Sequence, residues 1–499
     1  MLGHKTQLVF FSIVILVISY FTYFRNYQYP ANLFWDENYH IASAQKYLKG
    51  VFFMEPHPPL GKLFIALGEY LIHPNDKINT RSFLTTDYIK DVPKGYSFAG
   101  VRFFPTLFAT LSVVLFYLIL YALSKRPILS FLFTSLYLFE NAVIVHSRGA
   151  MLEPVQMFFV LFFLLFFIKK IYSIDDGRWR MEDRNLKIES RRLNFSDYLQ
   201  LGLLYGLALS VKLNSGPLGI LLIILLAREY YRPTHPFPSR EGFTLKGIHP
   251  EGIRGVCFKS ALFILSALSV FIGIYYIHIS LGKTVLDKKY IKTSRQYKTI
   301  KEHIQYIFHY EKGVPKYDVC KVGENGSLPV TWPFGNKTIN YRWESSGKSI
   351  RYLYLQGNPV IWLLGLLGLF FSLNLIVSIL FFKTKITNKR LYFFITTFSI
   401  LYLTYMASMI AVERVLYLYH YFIPLIFSLI LCYLIFLYMF EEGLKKKYTR
   451  IIMVIIIITI ITIITFFFFS PLTYYQPLTH AQFELRNWFG FWGLKSLAK

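Results

Sequence analysis

Acidic residues and cysteines are what this 499-residue chain has least of. Only 28 Asp+Glu stand against 54 Lys+Arg, and charged residues of both signs make up 16% of the total. So little charge, with 54% hydrophobic residues and a mean hydropathy of +0.41, excludes a soluble globule. The three cysteines, Cys257, Cys320 and Cys432, fall near a span, in a long loop and inside a span. That scatter leaves no disulfide framework and no cysteine metal cluster. No internal repeat is legible, which argues against a transporter built from matching halves. The net charge of +26 has no recognition motif beside it, so nucleic acid is not an expected partner. Basic cytoplasmic loops facing anionic lipid account for it instead.

What the chain has is apolar runs long enough to cross a bilayer, so it reads as an all-α polytopic membrane protein. The first run, residues 6–24, leads into Tyr23-Phe24-Arg25-Asn26-Tyr27 without a small-residue cleavage site and is expected to be a retained helix. Further spans are expected near 98–123, 127–147, 151–171, 257–281, 358–382, 390–412, 415–440 and 451–470. The apolar stretch 198–228 is interrupted by Lys212-Leu213-Asn214-Ser215-Gly216-Pro217 and reads as two short helices, which brings the total to about eleven.

With the N-terminus in the cytoplasm, the basic residues of 125–126, 169–192, 228–259, 383–390 and 445–447 all fall in cytoplasmic loops. The opposite short turns carry only Arg148 and Arg414. The chain 1–499 then forms one transmembrane domain with three segments on its external face. These are a first loop, 25–97, a second loop, 282–357, and a C-terminal tail, 471–499. That face is the periplasm for a bacterial inner membrane, or the ER lumen in a eukaryote. Within the first loop, residues 36–49 and 60–72 are amphipathic and are expected to be interfacial helices.

Polar residues near or within the apolar spans are costly unless they face a cavity or a partner. Arg102, Arg148, Glu153, Lys212, Asn214, Arg414, His420 and Tyr421 are of this kind, and the topology sets them at the external side. Asp36-Glu37 and His57-Pro58-Pro59-Leu60-Gly61-Lys62 lie on the same side. Each has a plainer role open to it. Arg148 and Arg414 are near enough to the surface to snorkel, His420 has a neighbouring helix to bond, and Asp36-Glu37 precedes a helix that a carboxylate can cap. Together, however, carboxylates beside cations at a membrane surface suit transfer from a phosphate leaving group. A carboxylate takes the proton of the incoming hydroxyl, and cations hold the departing anion. Asp36, Glu37 and His40 offer metal ligands, but their spacing does not bring all three to one helix face, so a divalent metal is unsupported.

Phe34-Trp35-Asp36-Glu37, followed by His57-Pro58-Pro59-Leu60-Gly61-Lys62, is similar to the first luminal loop of the protein O-mannosyltransferase family. Val101-Arg102-Phe103-Phe104, the turn His146 to Glu153, the segment 206–212, Trp332-Pro333, Gly357-Asn358-Pro359-Val360-Ile361-Trp362 and His420-Tyr421-Phe422-Ile423-Pro424 continue the likeness in order, over residues 34–424. Glu153 stands where the family usually has Asp, and Asn38-Tyr39-His40 replaces its Val-His pairing. The second loop is too short for the MIR domain of eukaryotic members, which suggests the bacterial type.

The resemblance implies a GT-C glycosyltransferase fold and inverting transfer of a sugar, mannose by expectation, from a polyprenyl-phosphate carrier to Ser/Thr hydroxyls of translocated proteins. It implies Asp36 as catalytic base, Glu37 as acceptor contact, and Arg102, Arg148, Arg414 and Lys212 as phosphate ligands. His57, Lys62, Glu153, Asn214, His420 and Tyr421 are expected around the substrate pocket. The expected partners are the lipid carrier, a secreted or membrane-protein acceptor and a second copy in a homodimer. Transfer to lipid A or a polysaccharide, as in aminoarabinose transferases, stays open as an alternative.

Overall fold

The computed structural model describes residues 3–182, 193–230, 250–287, 289–293, 295–321, 323–346, 349–445 and 449–496. The basic stretches 183–192, 231–249 and 446–448, used above to orient the chain, lie outside the described residues.

Helix α1 (His4–Ser19) runs into a π-helical turn, Tyr20–Phe24. The two amphipathic segments form α2 (Glu37–Leu48) and α3 (Leu60–Ile72), with the strand β1 (Val51–Phe52) between them. Then come α4 (Ala99–Ser124), α5 (Pro127–Leu138), α6 (Asn141–Ser147) and α7 (Glu153–Glu182). Helices α5 and α6 are bent by 64°, with the Glu140 side chain accepting from Val143 N at 2.6 Å to start the second piece. Next are α8 (Phe195–Leu209), α9 (Ile220–Tyr230) and α10 (Pro250–Leu281).

After these, β2 (Thr284–Val285), α11 (Gln296–Gly313), β3 (Ile339–Ser346) and β4 (Ser349–Leu355) make up the second loop. Helices α12 (Pro359–Phe382), α13 (Lys389–Ile410), α14 (Phe422–Met439), α15 (Glu441–Lys445) and α16 (Thr449–Thr473) follow, and β5 (Pro477–Leu478) and α17 (His480–Glu484) lie in the tail.

Among the described residues, eight helices are long and apolar enough to span, and the bent α5–α6 pair makes nine. The two further crossings of the expected eleven correspond to α8 and α9. Helix α8, at 15 residues, is too short to span alone, and the chain after it winds into a 3-10 segment, Leu213–Gly219, around Gly216-Pro217 before α9, which is described as far as Tyr230. Proline at the first position and an Asn358 side chain accepting from Val360 N (3.1 Å) start α12. Lys125 and Lys383 end α4 and α12 in the left-handed region, where a lysine also faces the negative end of the helix dipole.

Burial sorts the bundle into layers. Helices α4, α7 and α14 are mostly buried, whereas α1 and α16 bury about a fifth of their apolar windows and present the rest outward, as a lipid-facing surface requires. Helix α8 meets α10 closely: a Cβ on Gly202 would lie 1.9 Å from Ser266 Oγ and 2.3 Å from Phe263 O.

The loops are tied to one another. β1 pairs in parallel with β2. Asp87 accepts from Lys46 (2.5 Å), Lys289 (2.5 Å) and Tyr290 (2.6 Å); against the effect of burial, these bonds pull its carboxylate down to about 2. β4 sits between β3 and β5, so the second loop and the tail share one three-stranded sheet with its own apolar core around Tyr352, Phe469, Phe483 and Trp492.

Adding a methyl group at Gly202 must push α8 from α10 and is expected to cost about 1–3 kcal/mol. Gly202→Ala should therefore lower the melting temperature in detergent. Gly273→Ala, at a position with nothing within 4 Å, should leave it unchanged or raise it.

Candidate active site

Arg102, on the first turns of α4, is fully buried, and all five of its N–H donors have protein acceptors. Nε and Nη2 grip the two oxygens of Glu37 at 2.6 and 2.8 Å, and the remaining donors go to the carbonyls of Gln28 (2.9 Å), Pro30 (2.8 Å) and Asn32 (2.8 Å). The guanidinium lies 4.1 Å from the Phe98 ring centroid and 4.9 Å from that of Phe34. Glu37, also fully buried, accepts from Phe34 N (3.1 Å) and Ala150 N (2.8 Å) as well. The expected roles of both residues are corrected. Arg102 has no donor left for a phosphate, and Glu37 has no face open to an acceptor.

The pair fixes the loop that presents Asp36. Trp35 is held at φ +51°, a conformation costly for a bulky residue, and its ring stacks on Tyr341 at 5.1 Å. Asp36 follows as a half-buried carboxylate whose Oδ2 accepts from Tyr419 OH at 3.2 Å. Burial and the nearby Glu153 carboxylate raise its pKa above the ordinary aspartate range, while Lys212, His146 and the Tyr419 hydroxyl pull the other way.

Behind it runs a hydrogen-bonded chain. Tyr341 OH meets His146 Nδ1 at 2.6 Å, His146 Nε2 meets Glu153 at 2.7 Å, and the other Glu153 oxygen takes Lys212 Nζ at 2.5 Å. The Tyr419 ring stacks between His146 (4.8 Å) and His420 (4.6 Å). His57 is half-buried, with no hydrogen-bond partner among the described residues. Burial, followed by Lys212, Lys62, Arg414 and His40, drives its pKa well below 6.5, so it is neutral and borders a cationic space. His420 lies within electrostatic reach of the same Lys212 and Arg414.

Of the expected site residues, the fold brings together Asp36, His57, Glu153, Lys212, Arg414 and His420. The others are diverted, each for a visible reason. Arg148 donates to the carbonyls of Tyr23 (2.9 Å), Arg25 (2.9 Å) and Asn26 (2.6 Å), closing the end of the first span instead of meeting phosphate. Lys62 is buried in an ion pair with Glu55, which also accepts from Ser43. Asn214 clamps the broken helix through Gln156 (2.5 Å) and Tyr405 (2.7 Å). Tyr421 packs inside the bundle against Trp362 and bonds Tyr402 OH at 3.1 Å. His40 faces Ala150 O at 2.7 Å, and no metal-binding group of three His, Cys, Asp or Glu occurs among the described residues.

Sequence reasoning assigned no role to His146, Tyr341 or Tyr419. His146 opens the turn that resembled the family, and this was its one signal. The Gly357-Asn358-Pro359 motif proves architectural: Glu140 accepts from Asn358 N (2.8 Å) and Trp362 Nε1 (2.9 Å), and a Cβ on Gly357 would collide with the Trp362 ring.

The fold is the GT-C glycosyltransferase fold. It matches the solved S. cerevisiae protein O-mannosyltransferase Pmt1-Pmt2 complex bound to the sugar donor, with a TM-score of 0.75 over 99% of this chain and 93% of that one, at 14% identity. The chain belongs to the dolichyl-phosphate-mannose-protein mannosyltransferase family, whose model matches residues 13–281. The C-terminal four TMM region of protein-O-mannosyltransferase matches 297–492. Protein O-mannosyl-transferase 2 of Danio rerio is 28% identical over 32% of this chain and 20% of its own length. Dolichyl-phosphate-mannose–protein mannosyltransferase 1 of Candida albicans is 31% identical over 29% and 16%. The matched stretch thus spans about a fifth or less of these relatives.

Removing one partner of the buried pair strands the other's charge, at a cost of about 3–5 kcal/mol. Arg102→Met should therefore abolish a cooperative thermal transition or lower it steeply. Arg102→Met combined with Glu37→Gln should recover part of the loss, as read from melting in detergent.

Proposed function

We propose that the chain transfers mannose from a polyprenyl-phosphate carrier to Ser/Thr hydroxyls of translocated proteins, with inversion at the anomeric carbon. The observation that carries this is the placement of Asp36. One of its oxygens is held by Tyr419, the other makes no hydrogen bond among the described residues, and the cationic space of Lys212 and Arg414 adjoins it.

In a single displacement the acceptor oxygen forms the new bond to the anomeric carbon as the bond to the phosphate oxygen breaks. The hydroxyl proton passes to Asp36, and polyprenyl phosphate leaves as an anion. That leaving group needs no general acid, so one carboxylate suffices. Lys212 and Arg414 stabilise the departing phosphate, neutral His57 is a hydrogen-bond donor beside it, and His420 borders the same space. Glu153 aims Lys212 by accepting its hydrogen bond, and His146 holds Glu153.

Because the donor is a lipid, the reaction takes place at the membrane surface, on the face formed by 25–97 and 282–357. We assign that face to the periplasm in a bacterial inner membrane, or to the lumen in an ER membrane. The solved neighbour is a complex of two proteins, and a homodimer is the corresponding assembly for this chain.

Asp36→Asn should cut transfer to a Ser/Thr peptide by about 10²- to 10⁴-fold without changing the melting temperature. Equal transfer by both proteins would remove the base assignment, and transfer to lipid A instead would remove the protein acceptor. The base works only when ionised, and its pKa is raised, so activity should fall with decreasing pH at a midpoint above the ordinary value of about 4. Tyr419→Phe removes a hydrogen bond that favours the carboxylate and should move that midpoint to higher pH in the kcat/KM profile.

A further inference from the structure

The loop face carries a groove of about 540 Å³, lined along one side by Asn340, Tyr341, Arg342 and Trp343 and flanked by Lys337 and Lys495. Its wall is an open sheet edge. β3 stands at the end of the order β3-β4-β5, and no backbone hydrogen bond reaches Ile339–Ser346 from outside the sheet among the described residues. Such an edge offers a row of N–H and C=O groups for a further strand.

Two buried side-chain atoms on the same wall also lack hydrogen-bond partners among the described residues: Asn340 Oδ1, an acceptor, and Arg342 Nε, a donor. An extended peptide supplies both an N–H and a C=O, which a lipid tail cannot. The wall is continuous with the reaction centre. Tyr341 stacks on Trp35 at 5.1 Å and bonds His146 at 2.6 Å, and Arg342 Nη1 donates at 3.3 Å to Leu33 O, three residues before Asp36. Lys337, Arg342 and Lys495 outweigh the single carboxylate on the lining, Glu324.

Building on the mannosyltransferase reading, we propose that this groove binds the acceptor polypeptide as an added strand on the β3 edge. It selects extended segments with acidic residues beside the hydroxyl residue that Asp36 serves. Backbone pairing gives an affinity tolerant of sequence, and the lysines give the charge preference.

The test uses the purified full-length protein and three fluorescent peptides of equal length, each with one Thr flanked by Glu, Gln or Lys. Binding is read by anisotropy, and transfer is read separately with polyprenyl-phosphate mannose. The wild type should bind the Glu peptide about three- to tenfold tighter than the Lys peptide, the size expected for one or two screened charge contacts. Lys337→Glu with Lys495→Glu should reverse that order. N-methylation of alternate backbone amides should weaken binding in one register and spare the other.

Equal binding of all three peptides by the wild type, or an order unchanged by the double variant, overturns the groove assignment even if transfer is normal. Charge-ordered binding that the variant reverses, without transfer of mannose to any peptide, upholds the groove and overturns the mannosyltransferase reading.

Discussion

The bidentate pair between Glu37 and Arg102 is the contact on which the rest of the site depends. It joins residues 65 positions apart in the chain, and both are fully buried. The same guanidinium gathers three carbonyls from residues 28–32, and the same carboxylate reaches the backbone of Ala150. One ion pair therefore fastens the first loop to α4 and to the turn before α7. Burying two charges is repaid only when every donor and acceptor is satisfied. Here the guanidinium donors all are, and the result is a rigid perch for Asp36.

Division of labour between the adjacent carboxylates follows from their surroundings. Glu37 is locked against a cation, while the Asp36 carboxylate is left half-buried with a single hydrogen bond among the described residues and a raised pKa. The cations divide in the same way. Arg102 and Arg148 satisfy backbone carbonyls, whereas Lys212 and Arg414 bear on His57 in the space next to Asp36. A neutral histidine bordered by cations suits an anion, because it adds a donor without adding a charge that the empty site must bear.

Much of this was legible before any coordinates. The apolar runs placed the spans, the Gly216-Pro217 break placed the short helices α8 and α9, and the amphipathic segments became α2 and α3. The partners of the intramembrane charges were not legible. Nothing in the spacing of Glu37 and Arg102 distinguishes a bidentate pair from two ligands of one substrate, since long-range side-chain geometry has no local periodic signal. Tyr341 and Tyr419 were hidden among 38 tyrosines, most of which simply suit a membrane protein. The pairing of β5 in the tail with β4 was equally invisible, because two residues of strand leave no alternation to read.

The central claim is that an acceptor hydroxyl, deprotonated by Asp36, displaces the lipid phosphate in one step. The anomeric configuration of the glycosylated peptide, compared by NMR with that of the lipid-linked donor, tests it most directly. One displacement predicts the inverted configuration. Retention would contradict the account, since it requires a covalent sugar–enzyme intermediate and a second displacement in which Asp36 cannot act solely as a base.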